Sequence, residues 1–158
     1  MTDFEKIFSE YRDFIFKYLM KLCRDASLAS ELTQETFFRA YINFSALKNR
    51  EKVSMWLCSI AKNTYFAWYN EQKKISFAEM PEVGSGSESV EDRVLRKELS
   101  DKALVQLHNL GEPYKEVFML SVFGGFSLRD ISKVFGKSES WARVTFYRAK
   151  QQLSERME

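Results

Sequence analysis

The chain has 158 residues, 45% hydrophobic and 15% aromatic, enough for one domain or two small ones with real cores. Its 24 Lys and Arg against 22 Asp and Glu leave a net charge of +2, so the total does not identify a polyanionic partner and the distribution must be read instead. No apolar run approaches bilayer length, no targeting pattern opens the chain, and Cys23 and Cys58 lack paired spacing. A cytoplasmic protein with buried, reduced thiols and no membrane insertion of its own is expected.

In chain order, Phe4, Ile7, Phe8, Tyr11, Phe14, Ile15, Tyr18, Leu19 and Leu22 recur at three- and four-residue steps, which predicts a long amphipathic helix over 3–23. Ser27 is placed to cap a second helix running to about Phe44, with Leu28, Leu32, Phe37, Phe38 and Tyr41 on its apolar side. Its polar side carries Glu31, Gln34, Glu35 and Arg39. Ser45 to Lys52 reads as a basic loop with Lys48, Arg50 and Lys52. A third helix follows through Val53, Trp56, Leu57, Ile60, Ala61 and Thr64 to about Lys74. Trp56 and Trp68 are in phase with this apolar stripe and are expected in the core.

Residues 75–92 hold no basic and 5 acidic side chains, among Pro81, Gly84, Ser85, Gly86, Ser87 and Ser89. Such a composition does not bury enough surface to offset ordering entropy and predicts a flexible linker. It joins two mildly basic blocks, 1–74 and 93–158. The second resumes a helical pattern through Val94, Leu95, Leu99, Leu104, Leu107 and Leu110. Gly111 breaks it, and Pro113 suits the first position of a new helix, where its missing donor costs nothing. Val117, Phe118, Leu120 and Val122 continue to a Gly124–Gly125 break.

Ser127 to Arg148 predicts two helices around a tight turn. Ser127 with Asp130 has the form of a capping box; Leu128, Ile131 and Val134 face inward, and Gly136 is the stop. Ser138 caps the second helix, whose inward stripe is Ala142, Phe146, Ala149 and Leu153. Its outer face presents Ser140, Arg143, Val144, Tyr147 and Arg148, bordered by Lys137 and Lys150. A polar, basic second helix held against a shorter one is the layout of a helix-turn-helix, in which arginine pairs bidentately with guanine and flanking cations bind phosphate. The fold class is therefore all-α, with two small helical domains joined by a flexible linker, the C-terminal one a helix-turn-helix.

Gln34-Glu35-Thr36-Phe37 and the block Trp56-Leu57-Cys58-Ser59-Ile60-Ala61-Lys62-Asn63 resemble the second conserved region of bacterial sigma factors. Leu110-Gly111-Glu112-Pro113-Tyr114, the helix-turn-helix and Phe146-Tyr147-Arg148-Ala149-Lys150 resemble the fourth. With only a short linker between them, the chain is similar to the compact extracytoplasmic-function (ECF) group of the sigma-70 family. The resemblance implies a partner, core RNA polymerase, docked through Gln34 and Glu35, with Glu31 standing where an aspartate is usual. It implies a minus-ten surface of Lys48, Arg50, Lys52, Lys62, Asn63 and Phe66. In that surface Asn63 holds a flipped base through its amide and Phe66 or Tyr69 offers stacking area. It implies a minus-35 surface of Lys137, Ser140, Arg143, Val144, Tyr147 and Arg148 on promoter DNA. It also implies an anti-sigma partner that clamps the two domains.

Two further stretches depart from the family. Asn70-Glu71-Gln72-Lys73-Lys74 replaces an arginine-rich stretch and predicts weaker upstream duplex contact, while Trp141-Ala142 replaces a threonine-valine pair, with Trp141 expected to pack on the preceding helix. No glycine-rich phosphate loop, nucleophile elbow or metal spacing occurs, and the single His108 stands in a leucine-bearing stretch, so neither an enzyme nor a cofactor is expected. The alternative is a conventional helix-turn-helix regulator binding a palindromic operator as a dimer. A helical adaptor without DNA leaves Arg143 and Arg148 unused.

Overall fold

The computed structural model describes residues 1–76 and 101–157. Among them are seven α-helices and no strand, an all-α fold. The chain divides into two compact units, Met1–Gln72 and Lys73–Glu158. Most of the expected linker, with Val94, Leu95 and Leu99, lies outside the described residues.

In the first unit α1 (Asp3–Cys23) starts at a capping box that the sequence reading did not single out: the Thr2 hydroxyl accepts from the Glu5 N–H, and the Glu5 carboxylate accepts from the Thr2 N–H. Arg24 ends α1 in the left-handed region at φ 55°, and α2 (Ala26–Ile42) begins at once. Its cap is Asp25, whose carboxylate accepts from the Leu28 N–H at 3.1 Å, rather than Ser27; Asp25 is the residue with extended backbone, which is what aims a side chain back at those orphan donors. Phe8 meets Phe37 edge-on at 5.0 Å and Phe4 meets Tyr41 at 5.2 Å. Stepping back along α1 thus steps forward along α2, and the two helices run antiparallel.

A second difference concerns the α2 face. Leu32 and Phe37 are buried as expected, but Phe38 and Tyr41 are 60% and 64% exposed. The inward stripe is instead Ala29, Leu32, Thr33, Thr36, Phe37 and Ala40. Two of these are threonines, whose hydroxyls donate to the Ala29 and Leu32 carbonyl oxygens one turn earlier, so polar atoms are buried without being orphaned. Small and hydroxylated residues fill the inward positions that Phe38 and Tyr41 do not take.

The expected loop after α2 is ordered. Asn43 caps α2 by donating to the Arg39 carbonyl; a 3₁₀ turn spans Phe44–Ala46 and another Arg50–Lys52, the latter capped by Asn49, whose side chain accepts from the Glu51 N–H. It leads directly into α3 (Val53–Ser76), which buries Leu57, Cys58, Ala61, Thr64 and Tyr65. Trp56 and Trp68 are only half-buried, not core residues in full. Each fully buried Leu or Tyr of this set contributes about 1.5–3 kcal/mol by leaving water.

In the second unit α4 (Asp101–Asn109), α5 (Tyr114–Val122) and α6 (Leu128–Phe135) all touch α7 (Glu139–Met157). Pro113 sits one residue ahead of α5, not inside it. Leu104, Leu107, Leu110, Val117, Met119, Leu120, Ile131, Ala142, Ala149 and Leu153 form the core, and Phe118 stacks on Phe146 at 5.9 Å. Gly124 is required by packing: a Cβ there would lie 2.7 Å from the Leu120 carbonyl oxygen and 2.8 Å from the Phe126 ring. His108 is half-buried, with the Lys115 ammonium donating to its carbonyl oxygen at 3.0 Å, a structural setting.

Candidate functional site

Two surfaces gather the residues singled out from sequence, one in each unit. The first is on α2 and α3. Glu31, Gln34 and Glu35 are all exposed on α2, and Glu35 accepts from Arg39 Nε one turn along at 3.0 Å. Phe38, Tyr41 and Ile42 continue the same face at helical spacing, and each is at least 60% exposed. This apolar extension was not anticipated, although the steps from Gln34 to Phe38 and Tyr41, and from Glu35 to Ile42, were there to be read.

On α3, Asn63 is exposed. Lys52, Trp56, Ser59 and Asn63 follow one another at steps of four, three and four, so they share a face running from the 3₁₀ turn to the amide. Lys48, Arg50 and Lys52 are exposed, as expected of a basic segment. Arg50 donates to Asp3 at 2.7 Å; this hydrogen bond, with the guanidinium charge, holds the Asp3 carboxyl below its ordinary range, so the pair is ionised at neutral pH.

Two assigned residues do not belong to this surface. Cys58, Lys62 and Phe66 fall at four-residue steps along the inward face of α3, and Lys62 and Phe66 are 6% and 3% exposed. Phe66 meets Tyr65 edge-on at 5.2 Å, and Tyr65 stacks on Tyr69 at 6.1 Å. A ring so enclosed has no face to give a base, and a lysine so enclosed does not follow a phosphate backbone. The half-buried Trp56, in phase with Asn63, is the aromatic that this face does present.

The second surface is on α6 and α7. The Ser127 hydroxyl accepts from the Asp130 N–H at 3.1 Å. At the other end of α6, Gly136 takes φ 67°, its N–H donating to Lys133 and the Lys137 N–H to Ser132, the double bond pattern of a Schellman stop. Ser138 then caps α7 by accepting from the Trp141 N–H at 3.1 Å. Cap, stop and cap fix the angle at which α7 leaves the turn.

Along α7 the inward stripe includes Thr145 besides the expected Ala142, Ala149 and Leu153, and Phe146 is half-buried. Ser140, Arg143, Val144, Tyr147 and Arg148 all point outward with Lys137 and Lys150. Val144 and Tyr147 are 43% and 60% exposed. Trp141 packs on Phe135 at 5.3 Å, the packing role expected of it.

Two partners on this face are not among the expected site residues: Glu139, which suits the positive start of α7 and also accepts from Arg143 at 2.7 Å, and Gln151, which donates to the Tyr147 hydroxyl at 3.2 Å. Their signal in the sequence is the four-residue step to a named neighbour. The whole face offers arginine forks, a phenol and amides on a rigid helix, which suits base edges and phosphates rather than acid–base chemistry.

Comparison with known proteins matches two regions of the chain. Residues 7–75 match the family described as sigma-70 region 2, and residues 101–153 match sigma-70, region 4. The chain is 25% identical over 157 residues to the RNA polymerase sigma factor YlaC of Bacillus subtilis, covering 97% of this chain and 91% of that one. It is 25% identical over 150 residues to the ECF RNA polymerase sigma factor SigM of the same organism, covering 94% and 91%. Its fold is similar, at a TM-score of 0.56 and 16% identity, to the sigma factor RpoE solved in complex with the anti-sigma factor NepR from Bartonella quintana, with 99% of this chain and 97% of that chain covered. Among the described residues no helix is long and apolar enough to cross a membrane.

Proposed function

Because the chain belongs to the ECF group of the sigma-70 family, we propose that its two exposed faces divide the work of a sigma factor between them. The chain binds core RNA polymerase and directs promoter recognition and transcription initiation. In this division the α2 face, Glu31, Gln34 and Glu35 with Phe38, Tyr41 and Ile42, docks on the polymerase. The segment Lys48 to Lys52 with Trp56 and Asn63 takes the minus-ten element, and the outer face of α7 takes the minus-35 element. The observation that carries the reading is the contrast between those faces: large apolar residues beside two glutamates and a glutamine on α2, arginines and a phenol on α7.

The chemistry follows from the groups present. Asn63 offers one acceptor and two donors to the edge of an unstacked base. Trp56 supplies a ring two turns away on the same face, and Lys48 and Lys52 follow the strand. On α7 Arg143 and Arg148 reach guanine or phosphate while Lys137, at the start of the turn, takes the backbone. None of this asks for a catalytic group, and the chain is proposed to act without an active site of its own, in the cytoplasm. Regulation by an anti-sigma factor is part of the same proposal, supported by the fold likeness to RpoE, which was solved with one. Family membership does not favour the symmetric operator-binding regulator.

The test is transcription by purified core polymerase on random promoter fragments, with and without the protein. Products that depend on the protein and share two sequence boxes are expected. Substituting Asn63→Ala should relax only the downstream box and Arg143→Ala only the upstream one. A variant that relaxed the opposite box would reverse the assignment of the two faces.

A further inference from the structure

The start of α1 and the segment between α2 and α3 are far apart in sequence and meet in space. Asp3 accepts from Arg50 Nη2 at 2.7 Å. The same guanidinium lies 5.7 Å from the centroid of the Phe44 ring, which meets Phe4 edge-on at 5.7 Å. Phe4 in turn meets Tyr41 on α2 at 5.2 Å. The reciprocal Thr2–Glu5 bonds fix the first turn of α1, so Asp3 and Phe4 project from a settled backbone.

Within the segment only short-range bonds hold each turn, the Asn43 and Asn49 caps and one or two backbone bonds apiece. Neither 3₁₀ turn contains a buried residue, and such turns are weakly bonded on their own. Its shape is therefore imposed from outside, at the first turn by Phe4 against Phe44 and at the second by Asp3 against Arg50. A guanidinium has five donors, and the bond to Asp3 uses one of them, which orients the fork without exhausting it.

We propose that Asp3 is a positioning residue for minus-ten recognition, with Phe4 as its apolar counterpart: the N-terminal turn of α1 sets the conformation of residues 43–52 and thereby the base preference of the segment. Asp3 touches no DNA in this account; it acts through Arg50. The proposal rests on the reading of this segment as the minus-ten surface.

The experiment uses the full chain with core polymerase on a library randomised only in the minus-ten box. Base preference at each position is measured for the unmodified protein, Asp3→Asn, Asp3→Glu and Lys48→Ala, alongside thermal melting and the salt dependence of promoter binding. Asp3→Asn is expected to reduce the preference for the best base over the next by about two- to fivefold, the range open to one exposed ion pair. Melting and salt dependence should stay as they were, and Asp3→Glu, which keeps the charge, should restore the preference.

A uniform gain on all sequences with a steeper salt dependence would show that Asp3 only masks Arg50, and would overturn the proposal. A uniform loss with lowered melting would reduce Asp3 to a stability residue and overturn it equally. If Lys48→Ala alters the preference and Asp3→Asn does not, the segment reads DNA but α1 does not set it. If neither alters it, the minus-ten reading of the segment fails and the proposal falls with it.

Discussion

On α2 the side chains turned to solvent beside Gln34 and Glu35 are Phe38, Tyr41 and Ile42, whereas on α7 they are Ser140, Arg143, Val144, Tyr147 and Arg148. Both helices bury small residues inward: Ala29, Thr33, Thr36 and Ala40 on α2, Ala142, Thr145 and Ala149 on α7. What differs is what is left for a partner. On the proposed reading the α2 face gains by taking apolar area out of water, which is non-directional and little affected by salt. On the same reading the α7 face gains by displacing counterions and by matching donors to base edges, which is directional and falls steeply with salt. One chain is thus proposed to carry two kinds of contact that ionic strength separates.

The largest effect is expected on α2. Phe38→Ala combined with Tyr41→Ala should weaken binding to core polymerase by about 2–4 kcal/mol, the range of clustered aromatic hot spots. A titration at two salt concentrations should give nearly the same loss in each. Unfolding free energy should shift by no more than about 0.5 kcal/mol at Phe38 and by about 0.5–1.5 kcal/mol at Tyr41, whose ring meets Phe4 edge-on. A large drop in melting with unchanged polymerase binding would show the aromatics to be structural and would end the contrast drawn above.

Next is Arg143→Ala, expected to cost about 1–3 kcal/mol of discrimination at one position of the minus-35 element, read by binding a set of single-base promoter variants. An equal loss on every variant would reassign Arg143 to phosphate. Lys137→Ala should do what Arg143→Ala should not: weaken all sequences alike and lower the slope of affinity against salt by about 1. If the two substitutions proved interchangeable, the α7 face would hold charge without a code.

How far these faces were legible in sequence follows from the forces that set them. The helix-turn-helix was readable nearly residue by residue, because its signals are local: Ser127, Gly136 and Ser138 each act within four residues of themselves. The inward stripe of α7 was readable for the same reason. On α2 apolar composition put Phe38 and Tyr41 on the same side as Leu32 and Phe37, whereas the core took threonines that satisfy their own hydroxyls. Phe66 and Lys62 were misplaced because a family pattern fixes the neighbourhood of Asn63, and only the phase of α3 decides which side of the helix each residue faces. The Asp3–Arg50 contact was beyond reach, because it joins residues 47 apart through folding of the whole first unit.

The smallest expected effect lies at Glu139. Its carboxylate takes a hydrogen bond from Arg143 at 2.7 Å, with the two side chains 45% and 66% exposed. An exposed pair one turn apart stabilises a helix by about 0.3–0.5 kcal/mol, so Glu139→Gln should scarcely change melting, and less still in high salt. Its consequence for recognition is larger than its energy suggests, because the bond holds the guanidinium along the reading face of α7 before DNA arrives. Freed of it, Arg143 samples more rotamers, and ordering one such side chain on binding costs about 0.5–1.5 kcal/mol. Discrimination at the base read by Arg143 should therefore fall by no more than about tenfold, while the salt slope rises slightly as the face loses a negative charge. A gain in affinity with discrimination intact would mean that Glu139 competes with DNA for Arg143 rather than presenting it, and the two faces would then differ in one respect more: only the nucleic-acid face would carry its own brake.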